Sequence, residues 1–121
     1  MKLSIVIPAY NEGPTIHHIL NKVDAVVLLN NFEKEIIIVN DCSKDDTEES
    51  IHRYKNENPQ MPIIYFKHEV NMGKGAAIRT GIQKATGDLV IIQDADLEYD
   101  PEEYNVLLKP FIMNGCSLVE I

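Results

Sequence analysis

Five short apolar runs, separated by segments with helical spacing, limit the folds open to this chain. Each run is rich in β-branched residues and is bounded by turn signals, which is the pattern of a buried strand. Strands joined through helices run parallel, because each crossover returns the chain to the same end of the sheet. The sequence therefore predicts an α/β fold with a mostly parallel sheet and helices on both faces. The predicted strands are Leu3–Ile7, Glu35–Val39, Pro62–Phe66, Asp88–Gln93 and Ser117–Ile121.

Four helices are predicted between these strands from proline, capping and glycine signals. The first has apolar residues at helical spacing from Ile16 to Val27, and the last contains Pro110, where a kink or an early stop is expected. The leading Pro62 places the third strand towards an edge of the sheet, because proline lacks an amide hydrogen for the ladder. The predicted helices run from Pro14 through Leu29, from Asp45 or Asp46 through Tyr54, from Gly75 to Thr86 and from Pro101 to about Asn114.

The composition is typical of one globular domain spanning residues 1–121, because 45% of the residues are hydrophobic and 25% are charged. A net charge of −8 argues against a general nucleic-acid binder, which usually presents a basic face. No apolar run approaches the roughly 20 residues that a bilayer span requires, and the N-terminus does not match a signal peptide. The two cysteines, Cys42 and Cys116, are expected to be free thiols in a cytoplasmic protein.

Polar residues follow the first, second and fourth predicted strands, at the edge where ligands gather in parallel sheets. These clusters are Pro8–Gly13, Asn40–Ser43 and Asp94–Asp96. Asp94 and Asp96 lie on the same side of the strand end, because side chains alternate with period two along a strand. Their carboxylates suit Mg²⁺ or Mn²⁺, whereas the simpler alternative is a solvated acidic turn.

The segment Asn71–Gly75 leads into the start of the third helix, where free amide groups favour an anion. Lys74 adds a positive charge there, and Arg79 lies one helical turn after Gly75 on the same face. The alternative is that the glycines only form a turn and that both cations are solvated. The spacing matches neither a dinucleotide-binding fingerprint nor a P-loop.

Single residues near these clusters carry two interpretations each. Asp41 either accepts hydrogen bonds from a base or ribose, or it is a turn residue. Tyr10 either stacks on a base or packs within its own loop. The histidines show no metal-ligand spacing and are predicted to be surface or helix-face residues, namely His17, His18, His52 and His68.

Four segments, taken in order, resemble the nucleotide-sugar half of family-2 glycosyltransferases, which have the GT-A fold. They cover almost the whole chain, and the last is similar to enzymes that transfer mannose or glucose to a polyprenyl phosphate. The segments are Ser4–Glu12, Val39–Thr47, Asn71–Ala77 and Asp94–Pro101.

The resemblance implies a metal-dependent, inverting transfer of a hexose from a UDP- or GDP-sugar. The implied acceptor is a saccharide or a polyprenyl phosphate, the latter at the membrane periphery. Mg²⁺ or Mn²⁺ would act as a Lewis acid that neutralises charge on the departing diphosphate. The implied metal ligands are Asp94, Asp96 and Glu98. The implied nucleotide-sugar residues are Pro8, Ala9, Tyr10 and Glu12 beside the base and ribose, Asp41 at the base, Lys74 and Arg79 near the phosphates, and Asp94 near the ribose.

Some positions depart from the pattern of that family. Asn40 stands where the family usually has an aspartate, and Cys42 stands where it usually has a glycine. A residue with a side chain avoids positive φ, so the turn at Cys42 is expected to differ. No catalytic base is identifiable, and the resemblance places it beyond Ile121. The open sheet edge expected there would favour a homodimer.

Two other functions are compatible with these residues. A nucleotide-binding module without catalysis would bind a nucleotide and would not turn it over. A nucleotidyltransferase is ranked last, because such enzymes usually carry a glycine-rich loop after the first strand, and Pro8–Tyr10 does not supply one.

Overall fold

The computed structural model of the chain describes residues 1–95, 101–106, 108–109 and 118–120. Within these ranges the strands form one parallel sheet, and the helices lie on both of its faces, so the predicted fold class is confirmed. The strands are β1 (Lys2–Ala9), β2 (Glu33–Asn40), β3 (Ile63–Lys67), β4 (Leu89–Ile92) and β5 (Leu118–Glu120). The helices are α1 (Ile16–Ala25), α2 (Thr47–Glu57) and α3 (Lys74–Lys84), with 3₁₀ turns at Leu29–Asn31 and Pro101–Glu103.

The order of the strands creates a switch point in the sheet. The order is β3-β2-β1-β4-β5, and each neighbouring pair is parallel. The chain therefore builds outward from β1 through β2 to β3, then returns to place β4 on the other side of β1. Such a reversal opens a crevice at the carboxyl ends of the two strands that flank it, here β1 and β4. Strand β3 lies at an edge, as Pro62 predicted.

The strands are apolar on both sides because both faces of the sheet are covered. On one face Ile5 of β1 and Ile38 of β2 pack with α1 and α2, and with Tyr104 of the helical residues 104–106 and 108–109. On the opposite face Val6 and Ile37 pack against Ala77 of α3. Helix α3 approaches the sheet closely at a glycine. A Cβ atom on Gly81 would lie 2.2 Å from Cγ1 of Val6.

The first and third helices are shorter than the sequence predicted, because side chains from β1 and β2 bind residues at or just after the ends of these helices. Helix α1 ends at Ala25, not at Leu29, and Val27 is 84% exposed. The Nζ atom of Lys34 donates hydrogen bonds to the carbonyl oxygens of Val23, Asp24 and Val26 at 2.9, 2.8 and 2.6 Å, which stabilises this helix end.

A buried carboxylate similarly ends α3 before Thr86. Glu35 is 6% exposed and accepts hydrogen bonds from the Thr86 amide at 2.9 Å and the Ser4 hydroxyl at 2.7 Å. Burial raises the pKa of Glu35, but the hydrogen bonds from Thr86 and Ser4 outweigh it, so the pKa lies below its ordinary value. This polar cluster is near the amino end of the sheet, away from the switch point.

Some predicted features fall outside the described residues, including Asp96, Glu98, Pro110, Asn114 and Cys116. Inside the described ranges, none of the helices combines the length and the apolar character needed to cross a bilayer.

Candidate functional site

A cleft of about 300 Å³ opens at the carboxyl ends of β1 and β4, where the strand order reverses. Loops after four strands and the start of α3 contribute to it, so residues far apart in sequence meet there. The lining residues are Pro8, Ala9, Tyr10, Glu12, Asp41, Asn71, Gly73, Lys74, Ala77, Asp94 and Ala95. Each of the three polar clusters predicted to converge at this edge contributes residues to the cleft, namely Tyr10, Asp41 and Asp94, while Asp96 of the third cluster lies outside the described residues.

Most of the residues predicted for a nucleotide sugar line this one cleft. They are Pro8, Ala9, Tyr10, Glu12, Asp41, Lys74 and Asp94. Arg79 is an exception, since it is exposed on α3 and is not among the lining residues, although its guanidinium lies 3.6 Å from where a Cβ on Gly75 would sit. The structure thus brings the residues together, while the role given to each of them stays a prediction.

The loops after β1 and β2 hold each other in place. The Asn11 amide donates to Oγ of Ser43 at 3.0 Å, and the Lys44 amide donates to Oδ1 of Asn11 at 2.8 Å. Asn11 has φ of 54°, a left-handed conformation that asparagine tolerates better than most residues. This link fixes the loop that carries Tyr10, whose side chain is 40% exposed beside the cleft.

Of the two residues predicted to cap α2, Asp45 accepts the capping hydrogen bond, and it also links the start of this helix to the loop after β1. Its Oδ1 atom accepts a hydrogen bond from the Thr47 amide at 3.0 Å, and its Oδ2 atom accepts one from the Gly13 amide at 3.2 Å. Asp46 occupies the position before the helix without a side-chain capping bond.

Asp41 organises the loop that precedes α3. Its side chain is buried, and Oδ1 accepts a hydrogen bond from the Met72 amide at 2.9 Å while Oδ2 accepts one from the Gly73 amide at 2.8 Å. Nδ1 of His68 lies 2.8 Å from the same Oδ1. Burial raises the pKa of Asp41, but the hydrogen bonds from His68, Met72 and Gly73 outweigh it, so the pKa lies below its ordinary value. The carboxylate is therefore ionised and acts as an acceptor.

His68 supports the cleft residue Asp41, and the sequence interpretation missed it. The prediction for all four histidines was a position at the surface or on a helix face, but His68 is only 6% exposed, whereas His17, His18 and His52 are exposed as predicted. Strand register explains its position. Asn40 pairs with Lys67 across β2 and β3, so the next residues, Asp41 and His68, leave the sheet side by side. A polar residue directly after an apolar strand was the available signal.

Lys74 and Asp94 form an ion pair across the cleft, with Nζ and Oδ1 separated by 2.5 Å. Lys74 begins α3 and its side chain is 60% exposed, whereas that of Asp94 is 14% exposed. Asp94, a predicted metal ligand, is therefore paired with the ammonium group of Lys74. A carboxylate oxygen of this kind also fits Mg²⁺ or Mn²⁺. Among the described residues no three potential ligands cluster around a metal position, and the other predicted ligands, Asp96 and Glu98, lie outside them.

Asn40 stands where the family usually has an aspartate. Its side chain faces the β3 edge, and it is not among the residues that line the cleft. Its Nδ2 atom donates a hydrogen bond to the Tyr65 hydroxyl at 3.0 Å, and its Oδ1 atom accepts one from the Ser43 amide at 3.0 Å. A carboxylate could not donate the first of these bonds. The Tyr65 hydroxyl in turn donates to Oε1 of Glu48 at 3.0 Å, and burial raises the pKa of Tyr65 to about 12.

The turn at Cys42 corrects the expectation drawn from its side chain. Cys42 has φ of 60°, so it adopts the left-handed conformation that glycine adopts more easily. Its Sγ atom lies 3.4 Å from the Glu69 carbonyl oxygen, which it contacts as a weak donor. Within the described residues, which exclude Cys116, the Cys42 thiol is free.

The strain at Cys42 predicts that a glycine substitution is favourable relative to alanine. We expect Cys42→Gly to be about 1 kcal/mol more stable than Cys42→Ala, because alanine retains the Cβ atom that penalises the left-handed conformation. Both variants lose the Sγ contact, so their difference isolates the backbone term. Urea unfolding followed by circular dichroism measures it, and equal free energies of unfolding would contradict the prediction.

A parallel sheet with a polar cleft at its switch point is the architecture of α/β proteins that bind ligands at the carboxyl edge of the sheet. This chain belongs to glycosyl transferase family 2, whose family model matches residues 4–119. A dolichyl-phosphate beta-glucosyltransferase of Trichomonas vaginalis is 39% identical over 112 residues, which cover 88% of this chain and 34% of that protein. An undecaprenyl-phosphate 4-deoxy-4-formamido-L-arabinose transferase of Pseudomonas syringae is 36% identical over 107 residues, covering 88% of this chain and 32% of that protein.

A solved structure supports the same family assignment. A mannosyltransferase from Pyrobaculum calidifontis, in complex with GDP-Man and Mn²⁺, superimposes with a TM-score of 0.75 at 26% identity. The match covers 84% of this chain and 29% of the mannosyltransferase. The fold is therefore GT-A, and the chain spans about a third of the length of the curated relatives that it matches.

Proposed function

We propose that this chain forms the donor-binding part of a metal-dependent, inverting hexosyltransferase, which uses a UDP- or GDP-sugar. The observation that carries the proposal is the convergence of Tyr10, Asp41, Lys74 and Asp94 on one cleft at the switch point. The cleft combines an aromatic ring, a loop held by a buried carboxylate, a cation at a helix start and an acidic oxygen that is partly exposed. A nucleotide diphosphate requires these features for its base, its phosphates and its metal.

The proposed contacts follow the arrangement of the cleft. Tyr10 stacks on the base, with Pro8, Ala9 and Glu12 around the ribose, and Asp41 accepts a hydrogen bond from the base on its remaining acceptor position. Lys74 contacts the diphosphate from the start of α3, with Arg79 reaching it by rotation of its exposed side chain. Mg²⁺ or Mn²⁺ would be held by Asp94 together with Asp96 and Glu98, which lie outside the described residues. The metal ion would neutralise the charge that develops on the leaving diphosphate.

We further propose that the acceptor is a polyprenyl phosphate, which the names of the two curated relatives support. In this transfer an acceptor phosphate oxygen forms a bond to the anomeric carbon from the face opposite the donor. The bond from that carbon to the nucleoside diphosphate breaks, and inversion follows. A phosphate monoester has its second pKa at about 6, so the attacking oxygen is mostly ionised at neutral pH, and with this acceptor the base that the resemblance implies beyond Ile121 would not be needed. Such an acceptor would bring the chain to a membrane surface, and self-association through a sheet edge stays a prediction.

Calorimetric titration of the chain with GDP and with UDP, each with and without Mn²⁺, tests this proposal. We expect one of the two nucleotides to bind, and Mn²⁺ to tighten that binding at least about tenfold, because Asp94 would hold the cation and the cation would offset the negative charge of the diphosphate. Adenosine without phosphates is the control and should release no metal-dependent heat. If neither nucleotide gives metal-dependent binding, the proposed site is wrong.

A further inference from the structure

A buried polar chain connects the ends of β2 and β3 to helix α3 behind the cleft. Nδ1 of His68 lies 2.8 Å from Oδ1 of Asp41, and Nε2 lies 2.8 Å from Oγ1 of Thr80. The side chains of His68 and Asp41 are each only 5% exposed. Three polar groups in a row are costly to bury unless each is paired, and here each has its partner.

The hydrogen bonds fix the orientation of the imidazole ring. Asp41 is ionised and can only accept, so Nδ1 of His68 carries a proton and donates it. In the neutral ring Nε2 is then an acceptor, and the Thr80 hydroxyl donates to it. Thr80 lies on α3, so the ring ties the end of β3 to this helix as well as to Asp41.

The row of hydrogen-bonded side chains from Thr80 through His68 to Asp41 ends at the loop that presents Gly73 and Lys74 to the cleft. Oδ1 of Asp41 accepts both His68 Nδ1–H and the Met72 amide, while Oδ2 accepts the Gly73 amide. Gly73 has φ of 94°, which other residues rarely adopt, so this loop needs fixed partners to hold its shape. The next residue, Lys74, contacts Asp94.

We propose that His68 is a positioning residue for the donor site. It touches neither the cleft nor a ligand in this role. Its Nδ1–H sets the rotation of the Asp41 carboxylate, and the carboxylate holds the two amides so that Gly73 and Lys74 face the cleft. The effect on nucleotide affinity rests on the proposed function, whereas the effect on the loop does not.

Two substitutions of His68 separate this role from a general contribution to the core. An asparagine amide reaches about as far as Nδ1, so His68→Asn keeps a donor for Asp41 and loses the Thr80 contact. A glutamine amide reaches about as far as Nε2, so His68→Gln keeps the Thr80 contact and loses the donor for Asp41. The variants are otherwise chemically alike, and each removes one of the two buried hydrogen bonds.

The test combines amide hydrogen exchange with calorimetric titration of GDP and UDP in the presence of Mn²⁺. In His68→Gln we expect the Met72 and Gly73 amides to exchange at least about tenfold faster and the nucleotide to bind at least about tenfold more weakly. In His68→Asn we expect both quantities to stay within about threefold of the wild type. Tyr54→Phe is the control, because it removes the 2.8 Å hydrogen bond from Tyr54 to Asn21 far from the loop and should change neither quantity.

The outcomes distinguish the two proposals. If His68→Gln and His68→Asn show equal exchange at Met72 and Gly73, the positioning role is refuted, whatever the nucleotide does. If the wild type binds neither nucleotide, the proposed function fails, and the exchange comparison still decides whether Nδ1 of His68 holds the loop. If exchange differs while nucleotide affinity is the same in both variants, the claim that this loop positions the donor is refuted.

Discussion

Replacing Asp94 with asparagine is expected to weaken Mn²⁺-dependent nucleotide binding by about 100-fold, while the free energy of unfolding changes by less than about 1 kcal/mol. The affinity falls because a neutral amide oxygen binds a divalent cation much more weakly than a carboxylate does. The fold is spared because the partner of Asp94 in the ion pair, Lys74, is 60% exposed, and exposed pairs contribute little to stability. Calorimetry with and without Mn²⁺ measures the first quantity, and urea unfolding measures the second.

Substitution of Lys74, the partner of Asp94 in the ion pair, should have a different effect, which gives a second test of Asp94 as a metal ligand. In the free chain Lys74 neutralises Asp94 and so competes with a metal ion for its oxygen. Lys74→Met is therefore expected to bind Mn²⁺ alone about tenfold more tightly, yet to bind the nucleotide about tenfold more weakly, because the diphosphate loses a cation.

Lys84→Met is the matched control for this pair of measurements. Lys84 ends the same helix and contacts the ring of Phe66, roughly 15 Å along the helix from Lys74, so its loss changes the net charge equally without touching the cleft. If Asp94→Asn retains the full metal effect, Asp94 is not a metal ligand. If Lys84→Met changes Mn²⁺ affinity as much as Lys74→Met does, net charge and not the ion pair controls metal binding.

The sequence was sufficient to predict the sheet and most of the cleft lining, because both depend on local patterns. Apolar runs such as Glu35–Val39 mark strands by composition alone, and polar residues directly after them must lie at one edge once the strands are parallel. That reasoning placed Tyr10, Asp41 and Asp94 together correctly. It needed no knowledge of strand order, since the carboxyl ends of parallel strands share an edge in any order.

The parts that sequence reasoning missed depend on contacts between segments that are far apart in the chain. Helix α1 stops early because Lys34 reaches back to its last carbonyl groups, and no periodicity in the helix itself records this. The burial of His68 follows from the register of β3 against β2, which apolar content does not specify. The side chain of Asn40 faces the β3 edge because it donates a hydrogen bond to the hydroxyl of Tyr65 on the neighbouring strand. Each of these features is a side-chain contact set by tertiary structure.

The largest loss of stability is expected for Asp41→Asn, at about 3 kcal/mol of the free energy of unfolding near pH 7. The carboxylate accepts hydrogen bonds from the amides of Met72 and Gly73 and from His68, and because its side chain is only 5% exposed, water cannot replace all of these bonds. An asparagine side chain has one oxygen, so its amide group must face one of these donors in either orientation. At least one buried N–H group is then left without an acceptor.

The pH dependence of this loss identifies the ionised carboxylate as its cause. The folded pKa of Asp41 lies below the unfolded value of about 3.9, so its contribution is complete above that unfolded value and disappears as the pH falls through the folded pKa. The stability difference between the wild type and Asp41→Asn should therefore shrink as the pH falls below about 4. Urea unfolding of both chains across this range measures the difference directly.

A second carboxylate in the same region serves as the control for this experiment. Asp46 is exposed, makes no side-chain capping bond to α2, and loses the same charge in Asp46→Asn, so we expect its free energy of unfolding to change by less than about 0.5 kcal/mol. Because the other acidic groups are present in every chain, their titration cancels in each difference. A difference for Asp41→Asn that does not shrink between about pH 4 and about pH 3 would mean that Asp41 has the same pKa in the folded and the unfolded chain, and the account of Asp41 as the anion that fixes the loop before α3 would be wrong.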